Sequence, residues 1–424
     1  MKNNKEGKKN ENNYLIYICI VCIYLFIFQQ LLQTKIDFFR YFDEIIAVVS
    51  IPILLSIIIH NKGNVNIKKY DLHMIILVII LFATGLYSSL KFKYQSINIA
   101  LSDAFLVLKF FLAYMLSQLL IKKEFIDKNN SKIYKHAKII TYLFLALTIA
   151  NYTFNIWPNS SYRMGIMSNQ LFYSHPTMLA SSCVFLIALI MLTKPTKKIP
   201  IINIVILFFI LLSTLRFKAV GAAIIVLAML FYLHYTKKKI TLLQIGIVAI
   251  IAILLSWKQI NYYFINVDAG ARSVLFETSI KIAEDYFPVG TGFATFGSYF
   301  SSVSYSPVYM MYGINNIWGL EKGRTFFVSD NFWPMIIGQF GVIGLICYLL
   351  LLFITYKKIQ NEYSERNKYL YITKLISLGY LIISSTSESA FVSPFAIPFA
   401  LIIGISIKKD SKIIITNKNI KDEE

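Results

Sequence analysis

Apolar stretches recur along the whole chain, and polar residues are confined mostly to short breaks between them. About 20 apolar residues cross the hydrocarbon core of a bilayer as an α-helix. Windows of that kind fall at 14–33, 42–60, 72–90, 99–121, 139–157, 171–193, 201–215, 219–235, 241–257, 331–356, 369–386 and 390–407. The pattern predicts an all-α, polytopic membrane protein of about 12 transmembrane helices. Residues 1–13 and 408–424 read as polar tails, 14–257 as the first nine helices and 331–407 as the last three. The connection at 258–330 is the one long loop. The seventh and eighth windows are short and separated only by Arg216-Phe217-Lys218, as a tight hairpin or one broken re-entrant element.

Composition excludes a soluble globule. Apolar residues make up 57% of the chain and charged residues 15%, against roughly 25% charged in soluble domains. Mean hydropathy is +0.60. The net charge of +20 would raise nucleic-acid binding in a soluble protein. Here its distribution gives it another meaning. With the N-terminus taken as cytoplasmic and the loops alternating in side, 28 of the 42 basic residues fall on the cytoplasmic side. That is the positive-inside bias of a multi-pass protein. It places both termini in the cytoplasm and the 258–330 loop outside, facing membrane lipids and requiring no nucleic acid. The four cysteines lie within the apolar windows, and no zinc-type spacing or HExxH motif occurs.

Candidate chemistry lies where polar groups interrupt this pattern. Asp43 and Glu44 read as a water-exposed cap on the second span. Asp103 and Lys109, six positions apart on the fourth, do not face each other and must pair with other helices, face a cavity or snorkel. Lys374 reads as a structural lysine that snorkels to the cytoplasmic surface. Of five histidines only His175 lies near the external mouth, as a packing residue or a catalytic one. Arg216 and Lys218 sit in a short break between apolar spans, where cations are costly unless they meet water, headgroups or a bound anion. The planar guanidinium fork suits bidentate phosphate recognition.

In the long loop, the segment from Asp268 to Pro288 reads as an amphipathic helix with Arg272 in its first turn. A cation there opposes the helix dipole, so an anionic ligand would help explain it. The next segment, Val289-Gly290-Thr291-Gly292-Phe293, follows a proline-stopped helix rather than a strand, which excludes a dinucleotide fold. A tight glycine turn with amides facing an anion remains open. Sixteen loop residues are Phe, Tyr or Trp, suited to an interfacial belt or to sugar faces.

Four segments, taken in order, resemble signatures of the O-antigen and capsule polymerase/ligase superfamily of bacterial membrane glycosyltransferases (Wzy-type polymerases and their ligase relatives). They are Arg163-Met-Gly-Ile followed by Phe172-Tyr-Ser-His175-Pro176, Leu212-Ser-Thr-Leu-Arg216, Arg272 followed by Phe287-Pro288-Val-Gly290-Thr-Gly292, and Asp330-Asn331-Phe followed by Gly338-Gln-Phe-Gly341. The resemblance implies a GT-C-like, metal-independent glycosyltransferase that needs no cofactor. It would use undecaprenyl-type, polyprenyl-diphosphate-linked oligosaccharides at the outer face of the bacterial cytoplasmic membrane. It also implies Arg216 and Arg272 as diphosphate ligands and Asp330 or His175 as catalytic base. Arg163, Lys218, Arg324, Gly290 and Gly292 join as further substrate-binding candidates. The ligase branch carries a histidine where this chain has Ser329-Asp330. The expected activity is therefore that of a polysaccharide polymerase in capsule or O-antigen biosynthesis, alongside a flippase and a chain-length regulator. The alternatives are a ligase serving another acceptor and, in a different class, a flippase. Against a flippase stands the absence of internal repeats.

Overall fold

A computed structural model describes residues 2–60, 67–157, 162–163, 165–193, 200–236, 238–241, scattered positions in 243–254, and 270–407. Most of these are helical. In chain order the helices are α1 (Lys2–Gln33), α2 (Phe42–His60), α3 (Lys69–Phe92), α4 (Ile97–Leu120), α5 (Lys123–Phe154), α6 (Pro176–Leu192), α7 (Ile201–Ser213) and α8 (Phe217–Tyr235). They continue as α9 (Ala271–Asp285), α10 (Tyr299–Val303), α11 (Pro307–Met311), α12 (Phe332–Asn361), α13 (Lys368–Ser384) and α14 (Ala396–Gly404). One two-residue hairpin, β1 (Tyr162–Arg163) with β2 (Ile166–Met167), is the sheet among the described residues.

Among the described residues, six helical stretches are long and apolar enough to cross a membrane: Tyr14–Gln33, Asp37–His60, α3, α4, α5 and α12. The protein is thus helical, with spans of membrane type. The predicted ninth span, 241–257, and the loop start at 258–269, including Asp268, lie largely outside the described residues. Helix α1 begins at Lys2, so most of the expected N-terminal tail continues the first helix. The break at Arg216 separates two helices, α7 and α8, which pack on each other as a hairpin.

The last predicted window does not form one continuous span. Residues Ala390–Val392 make a 3-10 turn, and α14 has nine residues, which is about 14 Å of helix. Pro394 explains the interruption, because a proline disfavours helix in the residue before it and donates no amide. Beyond Gly404 the chain runs extended, with Ser406 exchanging backbone bonds of 2.9 Å with Ile121 and Lys123.

Helix α3 lies along α12, α14 along α4, and α13 touches α6, α8 and α14. Apolar on all sides, α6 is buried from Leu179 to Met191, as expected of a helix surrounded by others. Pro176 opens it, at the position where a missing amide costs nothing.

Charges within the bundle are ion-paired or hydrogen-bonded. Asp43 is not a water-exposed cap: it is 2% exposed, 2.6 Å from Lys109 Nζ, and accepts a bond from Gln29. Asp103 is also buried and accepts a 2.7 Å bond from the Ala294 amide. Lys374 does not snorkel. It is 1% exposed, 2.5 Å from Glu362, and donates to the Ile405 carbonyl. Glu362, at the end of α12, offers it a partner nearer than any surface. Lys358 meets Asp71 at 2.6 Å beside this pair, with the Tyr114 hydroxyl also on Asp71. Burying these ions is costly, and each arrangement persists because partner and hydrogen bonds arrive together.

The long loop has a core of its own, built on Leu275, Ile282, Phe296, Val308, Tyr309 and Leu320. Its helix α9 starts after Gly270 and packs along α12. Tyr309 is fully buried, receiving the Gly297 amide and meeting Ser301 Oγ at 2.7 Å. Trp318 stays 63% exposed.

Candidate functional site

The turn from α7 to α8 presents Arg216 and Lys218. Leu215 takes a left-handed conformation there (φ 49°). Ser168 Oγ donates to the Thr214 carbonyl at 2.6 Å, and Asn169 donates through its amide to the Ser213 carbonyl and through Nδ2 to Ser213 Oγ. The stretch that follows the β1–β2 hairpin is thereby tied to the arginine turn. Six residues on, the same stretch delivers His175.

His175 caps α6. Its Nδ1 accepts the Thr177 amide at 3.3 Å and lies 2.8 Å from Thr177 Oγ1. A ring nitrogen that accepts carries no proton, so the neutral ring holds its proton on Nε2. Although an edge of the ring reaches solvent, removal of water by the surrounding protein brings its pKa down to about 4, with Arg216, Lys218, Arg163 and Arg272 adding to the effect. Near neutral pH His175 is therefore uncharged, with Nδ1 engaged in the helix cap and Nε2–H available as a donor.

Asp330 comes from the segment that closes the loop. Arg272 Nη2 donates to its Oδ2 at 2.9 Å, and both side chains remain partly exposed. Partial burial raises the Asp330 pKa above the usual carboxylate value, opposed by the Arg272 charge and bond, while Glu388 adds to the rise and Lys218 opposes it. Ser389 Oγ donates to the Ser329 carbonyl at 2.6 Å, and Trp333 Nε1 donates to Ser385 at 3.1 Å. These bonds hold the turn after α13 against the Asp330 segment.

That turn contributes Glu388, a residue that sequence reasoning missed. Its carboxylate pairs with the buried Lys218 ammonium. The available signal was an acidic group in the few polar residues between two apolar stretches. Arg216, Lys218, Arg272, Arg163, His175 and Asp330 thus come from separate stretches into one electrostatic neighbourhood, joined there by Glu388.

Three candidates lie apart from it. Arg324 is exposed at a turn, 4.0 Å from Glu321, and is not among the cations acting on His175 or Asp330. Gly290 and Gly292 do not form an anion-facing turn. The Thr291 and Gly292 amides donate to the Gly338 and Gln339 carbonyls of α12 at 3.0 and 2.9 Å, and the Gly290 amide goes to Tyr286. The reason is a kink at Gly341 (φ 60°, ψ −154°), which opens the helical ladder. Residues 288–292 fill the opening, with the Pro288 carbonyl accepting from Ile343 at 3.2 Å. A Cβ on Gly290 would sit 2.5 Å from the Gly341 nitrogen. These glycines serve close backbone packing.

Among the described residues no group of three His, Cys, Asp or Glu side chains is arranged to hold a metal ion. Four cations, two carboxylates and a neutral imidazole can bind a multiply charged anion and accept a proton beside it. Compared with family models and with curated proteins, the chain matches none.

Proposed function

We propose that this chain is a polysaccharide polymerase: a metal-independent glycosyltransferase with about 12 spans and both termini in the cytoplasm. It belongs, on this reading, to the GT-C-like O-antigen polymerase/ligase group. It moves a glycan from polyprenyl diphosphate onto a lipid-linked repeat unit at the outer face of the bacterial cytoplasmic membrane. The observation that carries the reading is the meeting of Arg216, Lys218 and Arg272 with Asp330 and Glu388 at one neighbourhood of an apolar helical bundle.

The chemistry runs as follows. A departing diphosphate gains negative charge as the glycosidic bond breaks, and positioned guanidinium groups stabilise that charge. The neutral Nε2–H of His175 adds an uncharged donor to a phosphate oxygen. Asp330, less acidic than a free aspartate, takes the proton of the attacking acceptor hydroxyl as Arg272 turns from it to the diphosphate. Glu388 keeps Lys218 charged and in place.

The test supplies purified protein in detergent with lipid-linked repeat units. A ladder of products differing by one repeat supports the polymerase. A single attachment to a different acceptor moves the assignment to a ligase. The absence of any new glycosidic bond removes the enzyme reading in favour of a flippase.

A further inference from the structure

A cavity of about 950 Å³ lies beside the charged neighbourhood, within the usual range for small-ligand sites. Ser329 and Ser389 line it, and these are the neighbours of Asp330 and Glu388 joined by the 2.6 Å bond. The two carboxylate-bearing turns thus form one of its edges.

The cavity differs from the arginine cluster in charge. Asp43 and Lys109 in its wall neutralise each other, and Asp103 is bonded to the Ala294 amide. That leaves one cation, Arg40, which donates to the Tyr299 hydroxyl, against two carboxyl groups, Glu44 and the amide-bonded Asp103. A diphosphate finds no net positive field there. The polar lining includes the amides of Gln29, Gln30 and Gln33. Among the described residues the side chains of Gln33 and Glu44 make no hydrogen bond. Leu101, Phe300 and Phe395 give apolar wall. Amide and carboxylate groups facing rings and aliphatic surface suit a ligand with hydroxyls on its edges and C–H groups on its faces.

We propose that this cavity is a saccharide subsite, holding the sugars of the acceptor with a hydroxyl directed to the Asp330–Glu388 edge. The assignment rests on the polymerase reading and adds to it a place for the neutral glycan, separate from the place for the diphosphate.

The test measures binding of two probes to purified full-length protein. One is the oligosaccharide released by mild acid from the source cell's polyprenyl-linked glycans. The other is polyprenyl diphosphate without sugar. The wild type is expected to bind both saturably and without mutual competition. Leu101→Trp, which fills the cavity, and Gln33→Leu, which removes a donor and an acceptor, are each expected to weaken oligosaccharide binding by about tenfold or more. Both are expected to bind polyprenyl diphosphate as the wild type does, which also reports an intact fold. A wild type that binds polyprenyl diphosphate but no oligosaccharide overturns the saccharide subsite and leaves the polymerase reading standing. Unchanged oligosaccharide binding in both variants overturns it as well. Oligosaccharide binding without polyprenyl diphosphate binding keeps the saccharide cavity and takes down the donor site instead.

Discussion

Arg272 and Asp330, 58 positions apart, meet at 2.9 Å near the two ends of the described part of the long loop. The proposed cation for the leaving group and the proposed base for the acceptor are therefore bonded to each other before substrate arrives. On the proposed reading a bound diphosphate draws Arg272 from Asp330, and that exchange leaves the carboxylate more basic.

Replacing either arginine tests the charge argument. Arg272→Ala and Arg216→Ala are each expected to lower elongation by about 10²–10³-fold, the usual cost of one preorganised donor. The Arg272–Asp330 pair is partly exposed, so its loss should change stability by no more than about 1 kcal/mol. Product ladders and thermal melts on the same preparations check both parts. Normal chain length in both variants would sink the diphosphate site.

The Lys218–Glu388 pair should behave differently, because Lys218 is buried and Glu388 only partly exposed. Glu388→Gln strands the ammonium. A stranded buried charge costs about 3–5 kcal/mol, and the exposure of Glu388 puts the expectation at the low end. The double variant Lys218→Met with Glu388→Gln should recover most of the melting temperature and none of the elongation. Recovery of activity as well would show that the pair is only structural.

The pH dependence follows from His175 and Asp330. The His175 pKa is about 4 in the folded chain against an ordinary 6.5. The unfolded chain therefore binds more protons between these values, and stability rises with pH across that window. His175→Asn keeps a capping acceptor and should flatten this part of the melting-temperature profile. Elongation should show no limb near 6.5. Its acid limb should lie above the ordinary aspartate value of 3.8, where Asp330 takes up its proton. Asp330→Asn should abolish elongation at every pH.

Gly341→Ala and Gly290→Ala separate packing from ligand binding. At Gly341 a Cβ would sit 2.5 Å from the Pro288 carbonyl, on a backbone with φ 60°. Strain of this kind costs about 1–3 kcal/mol before any clash is added. The expected result is a lower melting temperature and less monodisperse protein for both variants. Full stability of Gly290→Ala with weakened polyprenyl diphosphate binding would restore the anion-binding role to that glycine.

Much of this was legible in the chain because membrane-length apolar windows make each remaining polar group conspicuous. Arg216, Lys218 and His175 could be singled out in that way, and α9 from its amphipathic pattern and proline stop. What escaped depended on partners far away in sequence. Asp43 looked like a surface cap because its counter-ion, Lys109, lies 66 residues on. The glycine segment looked like an anion turn because the carbonyls that receive it belong to α12, 47 residues beyond Thr291. Glu388 drew no notice because a single acid between apolar stretches acquires meaning only when Lys218 is found beside it. The last window kept its hydropathy while Pro394 removed its continuity.

The splice at Gly341 has a consequence for assembly. Helix α12 alone lacks partners for the Gly338 and Gln339 carbonyls, and the 288–292 segment alone lacks partners for the Thr291 and Gly292 amides. Each is finished only by the other. The docked segment and the kinked helix therefore depend on each other for satisfied backbone groups. Folding of the long loop and packing of this helix are thereby coupled.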